Sequence, residues 1–180
     1  CFDAKVPVVV GTTGWYKEYE LIADLASKRN GALFTATNFS IGVNILFHIN
    51  KKLASIMNQF EEYDVAMNET HHIHKKDHPS GTAVTLATDL VNQLDRKKKY
   101  VGLLEGETEE LSALDLRITS KRENEVPGFH SITYTSPIDE ITISHNALNR
   151  KGFALGAIKA AEWLKGKKGV FTMNDLLNFE

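Results

Sequence analysis

A strand–helix–strand pattern occupies the first 36 residues of the chain. The segment Lys5–Val10 is apolar and rich in valine, as in a parallel strand that is covered on both faces. The sequence GTTG at 11–14 then predicts a sharp turn, Tyr16–Lys28 shows a helical stripe of apolar residues, and Ala32–Ala36 forms a second short apolar run. Two strands joined through a helix at this spacing pair in parallel, with a right-handed crossover. The chain therefore begins with part of a parallel α/β sheet.

The remaining residues predict an α+β arrangement. Helical periodicity covers Ser40–Glu62, Ser80–Lys99 and Phe153–Leu164, and a last short turn is predicted at Asn174–Leu177. Alternating polar and apolar residues predict strands at Tyr63–Ile73, Leu114–Lys121, His130–Thr135 and Glu140–His145. In the last three of these segments the alternation is typical of antiparallel strands with one solvent-exposed face.

Composition excludes several classes of protein. The 180 residues carry 21 Lys and Arg against 23 Asp and Glu, a net charge of −2, so no bulk charge favours nucleic acid or anionic lipid. No apolar run approaches the roughly 18 residues of a membrane span, and one cysteine, Cys1, excludes an internal disulfide framework. We therefore expect a cytoplasmic protein. Because a buried-looking strand follows the opening Cys-Phe-Asp within ten residues, we also expect a piece of a longer protein.

The densest group of chemically active residues lies at 69–83 (ETHHIHKKDHPSGTA). Four His and two Lys fall within eight positions, directly before a predicted helix for which Ser80 is a good N-cap. The backbone N–H groups of Gly81 and Thr82 belong to the first turn, where the helix dipole favours an anion, so we expect a carboxylate pocket. His71 and Lys75 are four residues apart and share a face of an extended or helical segment, so both could act on one proton-transfer site.

Two other interpretations of this cluster stay open. The histidines could line a solvated strand edge, and we expect His74 and His78 at the surface. His-x-His spacing could instead bind zinc, as in a metal-dependent hydrolase, although Glu69 and Asp77 form no familiar ligand spacing with the histidines. We expect no metal.

Two segments follow the predicted parallel strands, where open α/β sheets place cofactor contacts. The first is the turn at 11–14, and the second is ATNFS at 36–40. In the second segment Asn38 could hydrogen-bond an amide and Phe39 could pack on a ring. Alternatively, Asn38 or Ser40 caps the following helix.

Four motifs together resemble the dihydrodipicolinate reductase family. They are VVVGTTGW at 8–15, NFSIGVN at 38–44, E-x-H-H-x-x-K-x-D-x-P-S-G-T-A at 69–83 and HNALNRKGFALGAIKAAEWL at 145–164. The resemblance implies the C-terminal part of a Rossmann-like dinucleotide-binding domain at 1–39. It implies a substrate-binding and tetramerisation domain at 40–150, with an antiparallel or mixed sheet and flanking helices. A C-terminal helix at 151–180 would return to the nucleotide-binding domain.

The resemblance also implies an activity. It implies hydride transfer from NADH or NADPH to a cyclic dicarboxylate in lysine and diaminopimelate biosynthesis, carried out by a homotetramer. By motif position, His71 corresponds to the proton donor and acceptor, Lys75 to a proton donor, and His72, Gly81 and Thr82 to substrate contacts. The implied cofactor contacts are Gly11, Thr12, Thr13, Ala36, Thr37, Asn38 and Phe39.

Two departures from the family pattern matter. Thr37 replaces the Pro or Ser expected before Asn-Phe, and these 180 residues contain no Gly-x-x-Gly-x-x-Gly phosphate loop. We therefore expect a truncated form that folds and self-associates but binds cofactor weakly and is inactive alone. The alternative is an oligomerisation or substrate-binding piece without catalysis of its own.

Overall fold

A computed structural model describes residues 1–179 of the chain. In chain order its elements are β1 (Val8–Val10), α1 (Tyr19–Lys28), β2 (Ala32–Thr35), α2 (Ile41–Met57), β3 (Asp64–His71), α3 (Gly81–Gln93), β4 (Lys99–Leu104), β5 (Asp115–Arg122), β6 (Phe129–Thr135), β7 (Glu140–Asn146), α4 (Lys151–Leu164), β8 (Gly169–Phe171) and α5 (Met173–Leu177). A 3₁₀ turn at Tyr16–Glu18 precedes α1.

The chain divides into two compact units. The first unit contains Cys1–Asn44 and the residues from Lys151 onwards, and the second contains Ile45–Arg150. A three-stranded parallel sheet lies in the first unit and a five-stranded mixed sheet in the second. This confirms the predicted class, a parallel α/β remnant followed by a region with a mixed sheet and flanking helices. No helix within residues 1–179 is long and apolar enough to cross a membrane.

The sheet of the first unit has the order β1-β2-β8. β2 is buried along its whole length, and its Phe34 packs edge-on against Trp163 of α4 with ring centroids 6.0 Å apart. Gly156 of α4 lies so close to the backbone of Phe39 that a Cβ at this position would overlap the Phe39 carbonyl. The strand–helix–strand prediction is confirmed. The third strand, β8, was not predicted because three residues carry too little periodicity to be distinguished from a loop.

The sheet of the second unit has the order β4-β5-β3-β6-β7. β6 is antiparallel to β3 and β7, as expected. The prediction of an antiparallel strand at Leu114–Lys121 is wrong, because β5 runs parallel to both of its neighbours, β3 and β4. Alternation reports that one face of a strand is buried, and it carries no information about the direction of the neighbouring strands.

The predicted helix at Ser80–Lys99 is too long, and β4 was not predicted. α3 ends at Gln93, and the charged run that follows enters a strand at Lys99. Lys97 is 3% exposed, and its Nζ donates to the Ala113 and Asp115 carbonyls and lies 2.7 Å from an Asp64 carboxylate oxygen. A lysine with these partners is stable inside the fold, although a run of charges in sequence suggests a solvated surface.

Every second residue of β3 lies in the core of the second unit. Val65 and Met67 are buried with apolar residues of α2, α3, β5 and β6, and the same face continues with Glu69 and His71, which are also buried. The apolar part of this face holds the sheet against the helices. Its polar end begins the candidate site.

Candidate active site

Polar side chains continue the buried face of three adjacent strands. On β5, Ser120 and Arg122 come after Leu116 and Ile118, and on β6, His130 comes before Ile132. The strand register pairs Glu69 with Ser120 on one side and with His130 on the other. Because β6 is antiparallel to β3, the start of β6 lies beside the ends of β3 and β5, and the polar side chains of the three strands are neighbours there.

Sequence reasoning did not assign Ser120, Arg122 and His130 to the site. They lie between 51 and 61 residues from Glu69 in the chain, so local spacing could not bring them together. A usable signal was present: on each strand an apolar alternating face turns polar without a change of period.

The Glu69 carboxylate is the centre of this cluster. The side chain is 1% exposed, its two oxygens accept from the Ser80 backbone N–H at 3.1 Å each, and one accepts from the Ser120 hydroxyl at 2.8 Å. Arg122 donates to it over 3.4 Å. Burial opposes ionisation, but the His130 ring, whose Nε2 lies 3.7 Å from a Glu69 oxygen, and the hydrogen bonds from Ser80 and Ser120 outweigh it and hold the pKa of Glu69 well below its usual range. Glu69 is therefore a buried anion.

His71 ends β3 beside this anion. Its ring is 8% exposed, Nδ1 lies 3.5 Å from a Glu69 oxygen without forming a hydrogen bond, and the ring packs edge-on against His130 at 5.0 Å. Burial lowers the pKa of His71 to about 4; Glu69 opposes this, while His130, Lys75 and Arg122 add to it. The imidazole is therefore neutral at pH 7 in the free protein.

Lys75 lies in the loop between β3 and α3. β3 ends at His71 and a turn follows, so the two residues do not share one strand or helix face. The loop is fastened from β5, because Arg122 donates to the carbonyl oxygens of Lys75 at 3.2 Å and Asp77 at 2.7 Å. The Lys75 ammonium binds both oxygens of Asp77, at 2.9 and 2.7 Å, and this hydrogen bonding lowers the pKa of Asp77.

The start of α3 has the predicted cap. Ser80 has extended backbone angles, and its hydroxyl accepts from the Ala83 backbone N–H at 3.2 Å. Gly81 is exposed, and a Cβ added there would meet nothing within 4 Å, so a ligand can approach the backbone of the first helical turn. Thr82 is half-buried in the same turn. The backbone at the predicted carboxylate site is therefore accessible.

The remaining histidines of the cluster differ in exposure. His72 is half-buried, its Nδ1 has no hydrogen-bond partner within residues 1–179, and its ring lies 6.0 Å from that of His74. His74 pairs with Glu125 at 3.0 Å with a largely exposed side chain, and His78 is exposed. The expected surface position of His74 and His78 is confirmed.

The predicted cofactor residues lie in the first unit, at the adjacent carboxyl ends of β1 and β2. A Cβ on Gly11 would lie 3.1 Å from the ring of Phe39, so the two turns are in contact there. Thr12, Thr13 and Thr37 are exposed, whereas Ala36 and Phe39 are buried. Of the two capping alternatives, Ser40 is the cap, because its hydroxyl accepts from the Val43 backbone N–H at 3.4 Å, whereas the Asn38 side chain accepts from the Ser40 backbone N–H at 2.9 Å, one residue before the helix.

A metal ion fits the buried cluster poorly. Glu69, His71 and His130 place one potential ligand atom each within 4.8 Å of the others. Backbone and hydroxyl donors already occupy the Glu69 oxygens, and the Arg122 guanidinium lies beside them. A cation would have to displace these donors and sit near a permanent positive charge. The donors already on Glu69 therefore disfavour a cation at this cluster.

Comparisons with known proteins give one consistent result. The family model described as dihydrodipicolinate reductase, C-terminus, matches residues 42–177. A 4-hydroxy-tetrahydrodipicolinate reductase of Christiangramia forsetii is 46% identical over 178 residues, which is 99% of this chain and 72% of the relative. The enzyme of that name from Neisseria meningitidis serogroup B is 34% identical over 179 residues, 98% of this chain and 65% of the relative.

A solved structure agrees with these sequence relatives. It is a dipicolinate-bound dihydrodipicolinate reductase from Paenisporosarcina sp. TG-14, which superimposes with a TM-score of 0.72 at 25% identity over 97% of this chain. The chain spans 66% of that protein. The family match, the sequence relatives and the shared fold agree, and we conclude that the chain belongs to the dihydrodipicolinate reductase family.

Proposed function

We propose that the protein carrying this chain reduces 4-hydroxy-tetrahydrodipicolinate to tetrahydrodipicolinate in lysine and diaminopimelate biosynthesis. Family membership supports this reaction, and the observation that carries it is the buried His71 beside the ionised Glu69 and the open start of α3. A proton-transfer group next to an anion-binding helix start suits a substrate with carboxylates on a reducible ring. The division at 1–39, 40–150 and 151–180 remains our proposal for the domain organisation.

Proton delivery is the step assigned to His71. Loss of the 4-hydroxyl group as water gives a conjugated imine, and hydride addition to this imine leaves an electron-rich carbon that must take up a proton. An imidazolium can supply that proton. His71 is neutral in the free protein at pH 7, since its pKa lies at about 4. A bound dicarboxylate adds negative charge nearby and favours the protonated ring. Lys75 is proposed as the second proton donor, for charge that develops at the ring nitrogen.

Substrate binding is assigned to the start of α3. We propose that one carboxylate accepts from the backbone of Gly81 and Thr82, with His72 as a further contact. Gly81 supports this because its surroundings are open on the side where a side chain would project. The dipicolinate in the Paenisporosarcina structure is a planar dicarboxylate and provides a stable probe for this pocket.

NADH or NADPH is the proposed cofactor, and when bound it would supply the hydride. Gly11 supports a flat ring at the turns after β1 and β2, because a Cβ at this position would lie 3.1 Å from the buried Phe39 ring and would fill the space beside it. We propose Gly11, Thr12, Thr13, Ala36, Thr37, Asn38 and Phe39 as the contacts. These 180 residues hold no glycine-rich phosphate loop, so we expect the chain alone to bind the cofactor weakly.

Assembly into a homotetramer is proposed through the outer face of the mixed sheet, the face opposite Ile132 and Tyr134. This face carries exposed Thr135, Thr142 and Ser144, and the hydroxyls of Thr133 and Thr142 lie 2.9 Å apart. Such β-branched, polar surfaces can pack against a symmetry mate. Sedimentation of the 180-residue chain tests this, and a monomer would contradict it.

The activity is tested by following NADH and NADPH oxidation with freshly generated substrate. The assay uses the longest natural protein that contains this chain, with the 180-residue chain in parallel. We expect turnover in the first case and dipicolinate binding without appreciable turnover in the second. No turnover with either cofactor in the natural protein would favour the alternative, a substrate-binding or oligomerisation piece without catalysis.

A further inference from the structure

We propose that Glu69 is a positioning residue for the reaction, because its buried anionic side chain both locks the loop that bears Lys75 and keeps a negative charge beside the His71 ring. This inference rests on the proposed function for its catalytic meaning. The geometry of the cluster carries it independently of that function.

The mechanical part follows from where the partners of Glu69 lie in the chain. Ser80, at the end of the 72–79 loop, donates its backbone N–H to the carboxylate at 3.1 Å. Ser120 on β5 donates at 2.8 Å. The Glu69 side chain thus joins Ser80, the N-cap of α3, to Ser120 of β5. The loop at 72–79 is therefore attached to β3 at both ends, through the chain at His71 and through Glu69 at Ser80.

Arg122 extends this lock into the middle of the loop. Its guanidinium bonds the carbonyls of Lys75 and Asp77 and reaches Glu69 over 3.4 Å. The guanidinium is 15% exposed, so without the Glu69 charge a permanent cation would be buried with carbonyl partners alone. Glu69 therefore stabilises the residue that holds Lys75.

The electrostatic part follows from the charges that face His71. They are Glu69 on its own strand, Arg122 on β5, His130 on β6 and Lys75 in the loop, whose ammonium is paired with Asp77. Of these, Glu69 favours the protonated ring, and Arg122, Lys75 and His130 oppose it. Removing the Glu69 charge would leave His71 among cations, where it could not easily take up the proton that it is proposed to deliver.

A purely structural role for Glu69 predicts something different. If Glu69 served packing alone, Glu69→Gln and Ser120→Ala would both loosen the cluster and affect His71 alike. If the charge matters, the two variants separate, because Ser120→Ala removes a hydrogen bond and keeps the carboxylate. Arg122→Gln should act with the opposite sign, because it removes a nearby positive charge.

The experiment is an NMR titration of the His71 ring in the 180-residue chain, from pH 2 to pH 8. His71 is assigned by the signal lost in His71→Gln, and methyl dispersion monitors folding. We expect the pKa of His71 to fall by about one unit or more in Glu69→Gln, to rise in Arg122→Gln and to change little in Ser120→Ala. A pKa in folded Glu69→Gln that equals or exceeds that of the original chain overturns the proposal. If Glu69→Gln does not fold, two other variants take its place. The proposal is then overturned if the pKa of His71 is unchanged in Glu69→Asp and lowered in Ser120→Ala.

Turnover of the natural protein separates this inference from the proposed function. We expect Glu69→Gln to lower kcat at least tenfold with little change in KM, and Glu69→Asp to recover part of it. If His71→Gln abolishes turnover while Glu69→Gln does not lower kcat, the positioning role fails and the proposed function stands. If His71→Gln is fully active, the proposed proton donor fails, while the NMR result still reports the placement of the charge.

Discussion

The two proposed binding regions consist of different kinds of residues. In the first unit, the turns after β1 and β2 consist mainly of small or exposed residues, and Gly11 contacts the Phe39 ring. In the second unit, the ends of β3, β5 and β6 bring Glu69, Arg122 and two histidines into a largely buried cluster. The first region offers shape and backbone groups, and the second offers buried charge.

This difference sets how each region should respond to mutation. A turn made of backbone and small side chains changes gradually, since a substitution shifts a contact without leaving a charge unpaired. A buried ionic cluster responds steeply, because removing one partner leaves another desolvated. The following predictions test this contrast, from the largest expected effect to the smallest.

His71→Gln should have the largest effect on the natural protein. We expect turnover to fall by about 10²–10⁴-fold, the usual contribution of a general acid, with little change in substrate affinity. The measurement is kcat and KM under saturating cofactor, with dipicolinate affinity as the control for pocket integrity. Turnover within a few-fold of the original would contradict the assignment of His71.

Stability of the 180-residue chain should fall as pH is lowered from about 6.5 to about 4. The unfolded His71 titrates near its ordinary pKa of about 6.5 and the folded one at about 4, so the unfolded state binds the extra proton in this window. The loss is at most about 3 kcal/mol. Below the ordinary Glu pKa of about 4.3, Glu69 adds a further loss, since its folded pKa is depressed.

Urea denaturation at pH 7 and at pH 4.5 measures this effect. His71→Gln is the matched variant, and the difference in free energy of unfolding between the two pH values should be smaller for it. Equal differences in both proteins would show that His71 does not take up the proton on unfolding.

Gly81→Val should raise the KM for substrate by about tenfold, equivalent to about 1.4 kcal/mol of lost binding. The branched side chain would occupy the open space beside the α3 backbone, where a carboxylate is proposed to bind. Gly81→Ala is the control and should have a smaller effect. Unchanged inhibition by dipicolinate in a well-folded Gly81→Val protein would place the pocket elsewhere.

Gly11→Ala should have the smallest effect, a rise of roughly two- to fivefold in the KM for cofactor, or about 0.5–1 kcal/mol. The added methyl would lie 3.1 Å from the Phe39 ring, which must move slightly. Gly14→Ala is the matched control in the same turn, since its Cβ would meet nothing within 4 Å. A Gly11→Ala effect as large as that of His71→Gln would remove the contrast between the two regions.

The fold was predictable where one local pattern determines one structure. The helix start at Ser80 and the alternation of β3 needed only the sequence. β4 was not predicted because the charged residues before it suggest a solvated surface. Lys97, two residues before β4, is instead buried by contacts with Ala113, Asp115 and Asp64, and these tertiary contacts override the local charge pattern. The direction of β5 depends on its neighbours and is not encoded in its own alternation.

The part of the candidate site that lies in one short segment was predictable from the sequence. His71, Lys75 and Gly81 lie within eleven positions and carry a recognisable motif. Arg122 on β5 and His130 on β6, two of the groups that lower the pKa of His71, are brought in by strand register. The sequence shows that polar residues follow the apolar residues on the same strand face. Which strands pair, and in which register, is known only from the three-dimensional structure.

The alternation of β3 has a consequence for how this family can change. Val65 and Met67 anchor the sheet, and Glu69 and His71 extend the same face. An insertion or deletion of one residue between Met67 and Glu69 would turn both acid–base groups towards the opposite face while the core stayed in place. We therefore expect a laboratory library of length variants to keep the site only where β3 changes by substitution or by two residues.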